Sequence, residues 1–184
     1  MFQRYFRRGA IAVGLMALFV AVPATTPAAA NEYERGLSAY NRAEYTTAFE
    51  TWQNLAVLGH PDAQFGLGIM YSLGQGVPRD HRAAAPWLHL AAIQGHRGAQ
   101  LSVGHSYEHG LGVLQDFAAA YRWYLAAAEQ GEAKAQNNLG TLYEHGRGVE
   151  SDRDLAIYWY EEATRNGNRN ARANLVRLHK SRDR

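Results

Sequence analysis

Three side chains near the middle of the chain have the types and spacing of a metal site. His105, Glu108 and His109 fit the pattern H-x-x-E-H, in which two histidines hold zinc and the glutamate activates a water molecule. That site needs a helix that continues past the motif and a third ligand further along. Gly110 follows directly and indicates that the helix ends there. The sequence therefore predicts no catalytic residue, metal or cofactor here. A zinc peptidase and an adventitious metal contact remain the alternatives.

The same segment returns later in the chain, which favours a structural role for its glycines. YEHGLGVLQD covers residues 107–116, and YEHGRGVESD covers residues 143–152. The second copy has Thr141 in the place of His105, so it cannot repeat the metal pattern. A dinucleotide-binding glycine loop would follow a strand, and no strand pattern precedes either copy. We therefore interpret the glycines as a joint of the fold, with the glutamate and histidine at variable positions beside it.

Identical residues recur every 36 positions through much of the chain. The recurring sets include Ala63, Ala99, Ala135 and Ala171; Tyr71, Tyr107 and Tyr143; Gly74, Gly110 and Gly146; Asp80, Asp116 and Asp152; and Trp87, Trp123 and Trp159. A fixed period of this size is typical of a repeat array, in which neighbouring units bury each other's apolar faces.

Each unit reads as two helices. In the first helix, Ala135, Leu139 and Leu142 fall on one stripe, with Gly140 on the same side, where a missing side chain would let another backbone approach. The second helix has a similar stripe of small and large residues, Ala120, Trp123, Tyr124, Ala127 and Ala128. Small residues that receive large ones suit close helix crossings, so we assign the recurring tryptophans to the core.

The loop between the two helices carries end signals for both of them. Gly110 and Gly146 are predicted to end the first helix in a left-handed cap. Asp116 and Asp152 are predicted to cap the N-terminus of the second helix.

Residues 1–30 read as a cleavable signal peptide, with an uncleaved anchor as the alternative. Arg4, Arg7 and Arg8 precede an apolar run from Ala10 to Val22, and three alanines precede Asn31. The run is shorter than the roughly 20 residues of a membrane-spanning helix. We therefore expect a periplasmic or secreted protein with no stable membrane insertion after cleavage.

Charge and cysteine content exclude several classes of protein. Of 19 Lys and Arg residues, three lie in the predicted signal, and the remaining 16 face 17 Asp and Glu residues. That balance argues against nucleic acid as a partner. From Arg165 onward, seven basic residues accompany the single acid Asp183, which suits either a partner contact or helix-end charges. The absence of cysteine excludes disulfides, so the core alone must hold the fold together.

The two ends of the array differ from its middle. Residues 31–60 lack the long glycine loop and resemble a tetratricopeptide-like end repeat. Full repeats are assigned to residues 61–96, 97–132 and 133–168, and residues 169–184 to a capping helix with a basic tail. The domain therefore covers residues 31–184.

The consensus of the full repeats has this order of motifs: Ala-Gln, Leu-Gly, Tyr, Gly-x-Gly-Val-x-x-Asp, Trp and Gln-Gly. This order resembles the Sel-one-like repeat (SLR) family, relatives of tetratricopeptide repeats. The resemblance is strongest in AQNNLGTLYEHGRGVESD, residues 135–152. It implies an all-α, right-handed α-solenoid of helix-turn-helix repeats that acts as a scaffold, adaptor or regulator by binding other proteins. Together with the predicted signal peptide, it indicates an exported bacterial member of this family. Some cysteine-rich exported members have been labelled β-lactamases, but this chain lacks their paired cysteines and a Ser-x-x-Lys motif.

In a solenoid of helical hairpins the first helices line the concave surface, so their remaining stripe should form a groove for a partner. The predicted groove residues are Phe65, Ile69, Leu101, His105, Glu108, His109, Asn137, Thr141, Glu144, His145, Arg177 and Lys180. The groove would begin apolar, continue with histidine and glutamate, and end basic. Alternatively, Phe65 and Ile69 simply pack against the end hairpin. His105, His109 and His145 also suggest partner binding that depends on pH.

The sequence thus favours an exported module without chemistry of its own that binds a protein or peptide in this groove. A peptidoglycan-binding accessory protein, with Trp and Tyr as stacking surfaces, is the first alternative. A β-lactamase-like hydrolase or zinc peptidase is the second.

Overall fold

The computed structural model describes residues 27–182, with side chains to residue 180. Nine α-helices and no strand occupy this part of the chain. They are α1 (Pro27–Asn41), α2 (Tyr45–Val57), α3 (Pro61–Leu73), α4 (His81–Ile93), α5 (Arg97–His109), α6 (Phe117–Glu129), α7 (Ala133–His145), α8 (Arg153–Arg165) and α9 (Arg169–Arg182). Each helix makes its main contacts with the helices directly before and after it. The predicted all-α solenoid of helical hairpins is confirmed.

The long loops end and begin helices as predicted. Gly110 and Gly146 adopt left-handed φ angles of 68° and 64° at the ends of α5 and α7. The Asp116 carboxylate accepts a hydrogen bond from the Ala119 backbone N–H at 2.9 Å, and Asp152 accepts the equivalent bond at the start of α8. These caps satisfy backbone groups that a helix terminus leaves free.

Glycines inside the first helices make room for aromatic rings, which corrects the prediction of a close backbone. A Cβ atom on Gly140 would lie 2.6 Å from the Tyr160 ring, and one on Gly104 would lie 2.5 Å from the Tyr124 ring. The two tyrosine side chains are fully buried. Each ring therefore lies directly on the neighbouring helix, and a methyl group could not enter that contact.

The recurring tryptophans pack against the core, as predicted, but at its edge, one position before its most buried residues. Trp123 and Trp159 are half-buried at the edge of the core, whereas the next residues, Tyr124 and Tyr160, are fully buried. Trp52, which precedes these tyrosines by multiples of 36 residues, fills the same buried place in the first hairpin and is 3% exposed. Because Trp and Tyr are adjacent and both bulky, the sequence could not show which of the two is more deeply buried.

Buried glutamines join each unit to the next. Gln100 donates to the Ala92 carbonyl oxygen at 3.2 Å and accepts a hydrogen bond from the Gln130 amide at 2.7 Å. Gln64 and Gln136 make the same pair of bonds in their units, with Asn166 as the last donor. These amides satisfy helix-end carbonyl groups that water cannot reach.

The predicted signal falls almost wholly on residues 1–26, which lie outside the described residues. Residues 27–30, its last four, belong to the first turn of α1. Within residues 27–182, no helix is both long and apolar enough to cross a bilayer.

Candidate binding groove

A groove of about 830 Å³ runs across the first helices of successive units. We call it the amide groove, because asparagine side chains dominate one end. Its lining comprises Ile69, Ser72, Leu73, Arg79, His81, Leu88, Leu101, Ser102, His105, Ser106, Leu111, Glu132, Ala133, Lys134, Asn137, Asn138, Asn166, Gly167, Asn168, Arg169 and Asn170. The apolar lining residues Ile69, Leu73 and Leu88 lie near α3, beside the polar Ser72, Arg79 and His81, and the end near α9 is polar.

Four of the predicted groove residues line the amide groove: Ile69, Leu101, His105 and Asn137. Phe65 instead stacks on the His96 ring, with 4.3 Å between ring centroids, and is half-buried beside Gly98. It packs on the following unit at the start of α5 and is not among the residues that line the amide groove.

The two predicted glutamates form matching contacts with buried tyrosines. Glu108 accepts a hydrogen bond from the Tyr124 hydroxyl at 2.6 Å, and Glu144 accepts one from Tyr160 at 2.9 Å. Burial, aided by the glutamate, raises the pKa of Tyr160 to about 12, so its hydroxyl remains a donor at neutral pH. Thr141 also contacts Tyr160, at 3.1 Å between the two hydroxyl oxygens.

The basic end of the predicted groove is partly engaged within the protein. Arg177 donates hydrogen bonds to both oxygens of the Glu144 carboxylate, one of them at 2.8 Å. This guanidinium, ahead of the Tyr160 bond, holds the pKa of Glu144 below its usual range. Lys180 is exposed near the end of α9. Arg177 therefore joins α9 to α7 of the last full repeat.

The histidines of the H-x-x-E-H pattern lie on the last turns of α5. The His105 and His109 rings stack with 4.2 Å between centroids, and His109 Nδ1 lies 3.1 Å from the His105 carbonyl oxygen. Burial and the neighbouring His109 lower the pKa of His105. Helix α5 ends at His109, and no group of three or more possible metal ligands occurs within the described part of the chain. His145 is exposed at the end of α7.

The predicted Asn137 belongs to an asparagine cluster at the polar end of the groove, which the sequence did not predict as a cluster. Asn174 donates to the Asn137 side-chain oxygen at 3.1 Å, and Asn168 donates to the Ala133 carbonyl oxygen at 3.1 Å. Asn138 and Asn170 line the groove beside them. The signal was present in the sequence, because Asn138 and Asn174 are 36 positions apart and five of residues 166–174 are Asn or Gly.

These features define a helical-repeat protein with a groove across its first helices. The family model for the Sel1 repeat matches residues 61–96, 98–132 and 133–168. The chain therefore belongs to the Sel1-repeat family. Sel1-repeat proteins generally mediate protein–protein interactions, and their fold is typically a non-enzymatic scaffold.

Solved structures agree with this assignment. The chain is 36% identical to c5321, a protective antigen of uropathogenic Escherichia coli with an SLR fold, over 80% of this chain and 32% of that one, at a TM-score of 0.76. A Sel1 repeat protein of Oxalobacter formigenes is 33% identical over 78% of this chain and 57% of its own, at a TM-score of 0.74. The chain thus spans about a third and just over half of these two proteins.

Helicobacter pylori cysteine rich protein B shares the fold at 18% identity and a TM-score of 0.58, over 71% of this chain and 96% of that one. Among curated proteins, none matches the chain.

Proposed function

We propose that this protein is exported and acts in the cell envelope as a non-catalytic interaction module that holds an extended segment of a partner protein in the amide groove. The observation that carries the proposal is the groove itself, whose volume of about 830 Å³ lies within the range of sites that enclose a ligand. Export rests on the N-terminal sequence features, which favour a periplasmic or secreted protein.

The lining of the groove matches the chemistry of an extended protein segment. Side-chain amides offer both a donor and acceptors, so Asn137, Asn138 and Asn170 can pair with the main-chain groups that an extended segment leaves free. Ile69 and Leu101 at the other end offer contacts for apolar side chains. A segment with its apolar residues toward α3 and its polar residues toward α9 would satisfy both ends.

The charges around the groove favour acidic side chains in the partner. Arg79, Lys134 and Arg169 contribute to the lining, whereas Glu132 is the acidic residue in it. Glu132 also faces Arg97 at 3.3 Å. Complementary charge of this kind adds to specificity and to the rate of association.

A protein segment suits the groove better than a glycan does. Sugar rings bind aromatic faces, but the part of the lining that the structure describes contains neither Trp nor Tyr. The half-buried Trp123 forms an edge contact with His89 away from this lining. Peptidoglycan binding can be tested by sedimentation of the protein with purified peptidoglycan. Co-sedimentation that is lost when the groove is blocked would show that the groove binds peptidoglycan instead of a protein segment.

Paired arginine substitutions test the function. Asn170 lines the groove and is exposed, and Asn54 is exposed on α2 outside it, so neither Asn170→Arg nor Asn54→Arg should disturb the core. We expect the wild type and Asn54→Arg to retain the same partner from an envelope extract and Asn170→Arg to lose it. Equal retention by all three proteins would refute binding in the groove.

A further inference from the structure

Two units of the protein place a glutamate against a buried tyrosine in the same way. Glu144 on α7 accepts the Tyr160 hydroxyl bond, and Glu108 on α5 accepts the Tyr124 hydroxyl bond. The two glutamates are 36 residues apart, and so are the two tyrosines. The pairs are therefore two copies of one local structure, and any difference around them reflects the neighbouring unit.

The two copies differ in the residue that the following unit supplies. Arg177 on α9 reaches back to Glu144 and donates to both carboxylate oxygens. One repeat earlier the equivalent residue is Thr141, whose short side chain bonds within its own unit, to the Asn137 carbonyl oxygen and the Tyr160 hydroxyl. The Glu108–Tyr124 pair therefore lacks a guanidinium like the one that Arg177 supplies to the Glu144–Tyr160 pair.

Nothing among the described residues replaces that guanidinium at Glu108. Its Oε1 atom accepts no hydrogen bond there, and no Lys or Arg nitrogen of this part of the chain lies within 4.0 Å of its carboxylate. The exposed His109 approaches only to 4.0 Å, and Arg147 is held over the Phe117 ring instead. Glu108 is thus a carboxylate with one donor and no full positive charge beside it.

The burial of this carboxylate favours a cation that can bond both of its oxygens. The Glu108 side chain is only 14% exposed, so water stabilises its charge poorly. A planar guanidinium can bond both carboxylate oxygens at once, as Arg177 does at Glu144, whereas an ammonium acts as a point charge. His105, one helical turn before Glu108 on α5, and Asn138 both line the amide groove, so this place adjoins the groove.

We propose that Glu108, Tyr124, Asn138 and Thr141, named here the open glutamate site, bind an arginine side chain of the partner segment in the place that Arg177 fills one unit later. This site rests on the proposed function, and it specifies that the partner segment contains an arginine. An arginine here, together with acidic residues over the basic lining, would fix the register of the segment along the groove.

The test uses a single arginine as the probe. Acetyl-arginine-amide is titrated into the full protein, and backbone amide shifts of residues 108, 124 and 141 are followed by NMR. We expect saturable shifts at these positions and an affinity at least about tenfold weaker in Glu108→Gln, which keeps the size of the side chain but removes its charge. Acetyl-citrulline-amide, which has the same shape without the charge, should cause none.

Two variants separate a local effect from a folding effect. Thr141→Arg should supply the missing guanidinium internally and abolish probe binding in a folded protein. Glu144→Gln changes the occupied copy and should leave probe binding at residue 108 intact. The absence of shifts in the wild type, or equal binding by Glu108→Gln, would overturn the proposal. Probe binding at Glu108 combined with partner retention by Asn170→Arg would instead refute the groove function and leave the arginine site standing.

Discussion

The two glycines of the loop after α5 should respond very differently to the same substitution. Gly110 and Gly112 both adopt left-handed φ angles, 68° and 74°. An added Cβ on Gly110 would meet its nearest neighbour at 3.6 Å, an ordinary contact, whereas one on Gly112 would lie 2.0 Å from the His81 carbonyl oxygen. The loop of one unit thus rests on the first turn of α4, in the unit before it.

The expected energies follow from these two distances. Alanine in a left-handed conformation costs about 1–2 kcal/mol, and this cost applies to both variants. Gly112→Ala must also push the loop away from a backbone atom, and such overpacking adds about 1–3 kcal/mol. We therefore expect Gly112→Ala to lower the free energy of unfolding by about 2–5 kcal/mol and Gly110→Ala by about 1–2 kcal/mol.

Urea unfolding followed by circular dichroism measures the difference. With a slope of about 2 kcal/mol per molar urea, the midpoints of the two variants should differ by about 0.5–1.5 M. Gly148→Ala, whose Cβ would lie 2.3 Å from the Phe117 carbonyl carbon, should match Gly112→Ala. Equal midpoints for the two variants of the first loop would refute the interpretation of these glycines as joints between units.

Three further outcomes are expected. Gln100→Leu should lower the free energy of unfolding by about 1–3 kcal/mol, because it removes both the bond that the buried amide donates to Ala92 and the bond that it accepts from Gln130; a urea midpoint equal to that of the wild type would contradict this. The pKa of Glu144 is lowered in the folded state by Arg177, so the stability it contributes is present above its unfolded pKa and is lost as pH falls through the folded value; Glu144→Gln should flatten the fall in thermal stability between about pH 5 and 3. Affinity of the open glutamate site for acetyl-arginine-amide should fall between about pH 7.5 and 5, because His105, whose pKa burial lowers, becomes cationic near the site; NMR titrations at both pH values check this, and an unchanged affinity would exclude His105 from any role.

The periodic parts of the fold were predictable from the sequence. Glycine, aspartate and tyrosine residues recur every 36 positions, and each residue type has a single structural role at its position. Asp116 can cap only the helix that follows it, and Gly110 can end only the helix before it. Three units carry the same pattern of caps, so the pattern could be recognised by comparing them.

Details that depend on neighbouring side chains were not predictable. Trp123 and Tyr124 both suit a core position, and only packing against Gly104 shows that the tyrosine ring lies deepest. Phe65 is apolar whether it lines a groove or stacks on His96, so its type could not decide between the two.

The groove was predictable only in outline. The helical stripe placed Ile69, Leu101, His105 and Asn137 on the groove, because helical geometry fixes which residues share a face. It could not show that Arg177 turns back onto Glu144, since that contact joins helices of different units. The roles of the predicted residues in binding remain predictions.

The central claim is that a partner segment lies in the amide groove, and site-specific photo-cross-linking tests it most directly. A photoreactive amino acid replaces Ser102 in the groove or Asn54 on α2 outside it, and cross-linked peptides from intact cells are sequenced by mass spectrometry. We expect position 102 to cross-link to one contiguous partner segment and position 54 not to do so. Cross-links of that partner from position 54, with none from position 102, would contradict the claim.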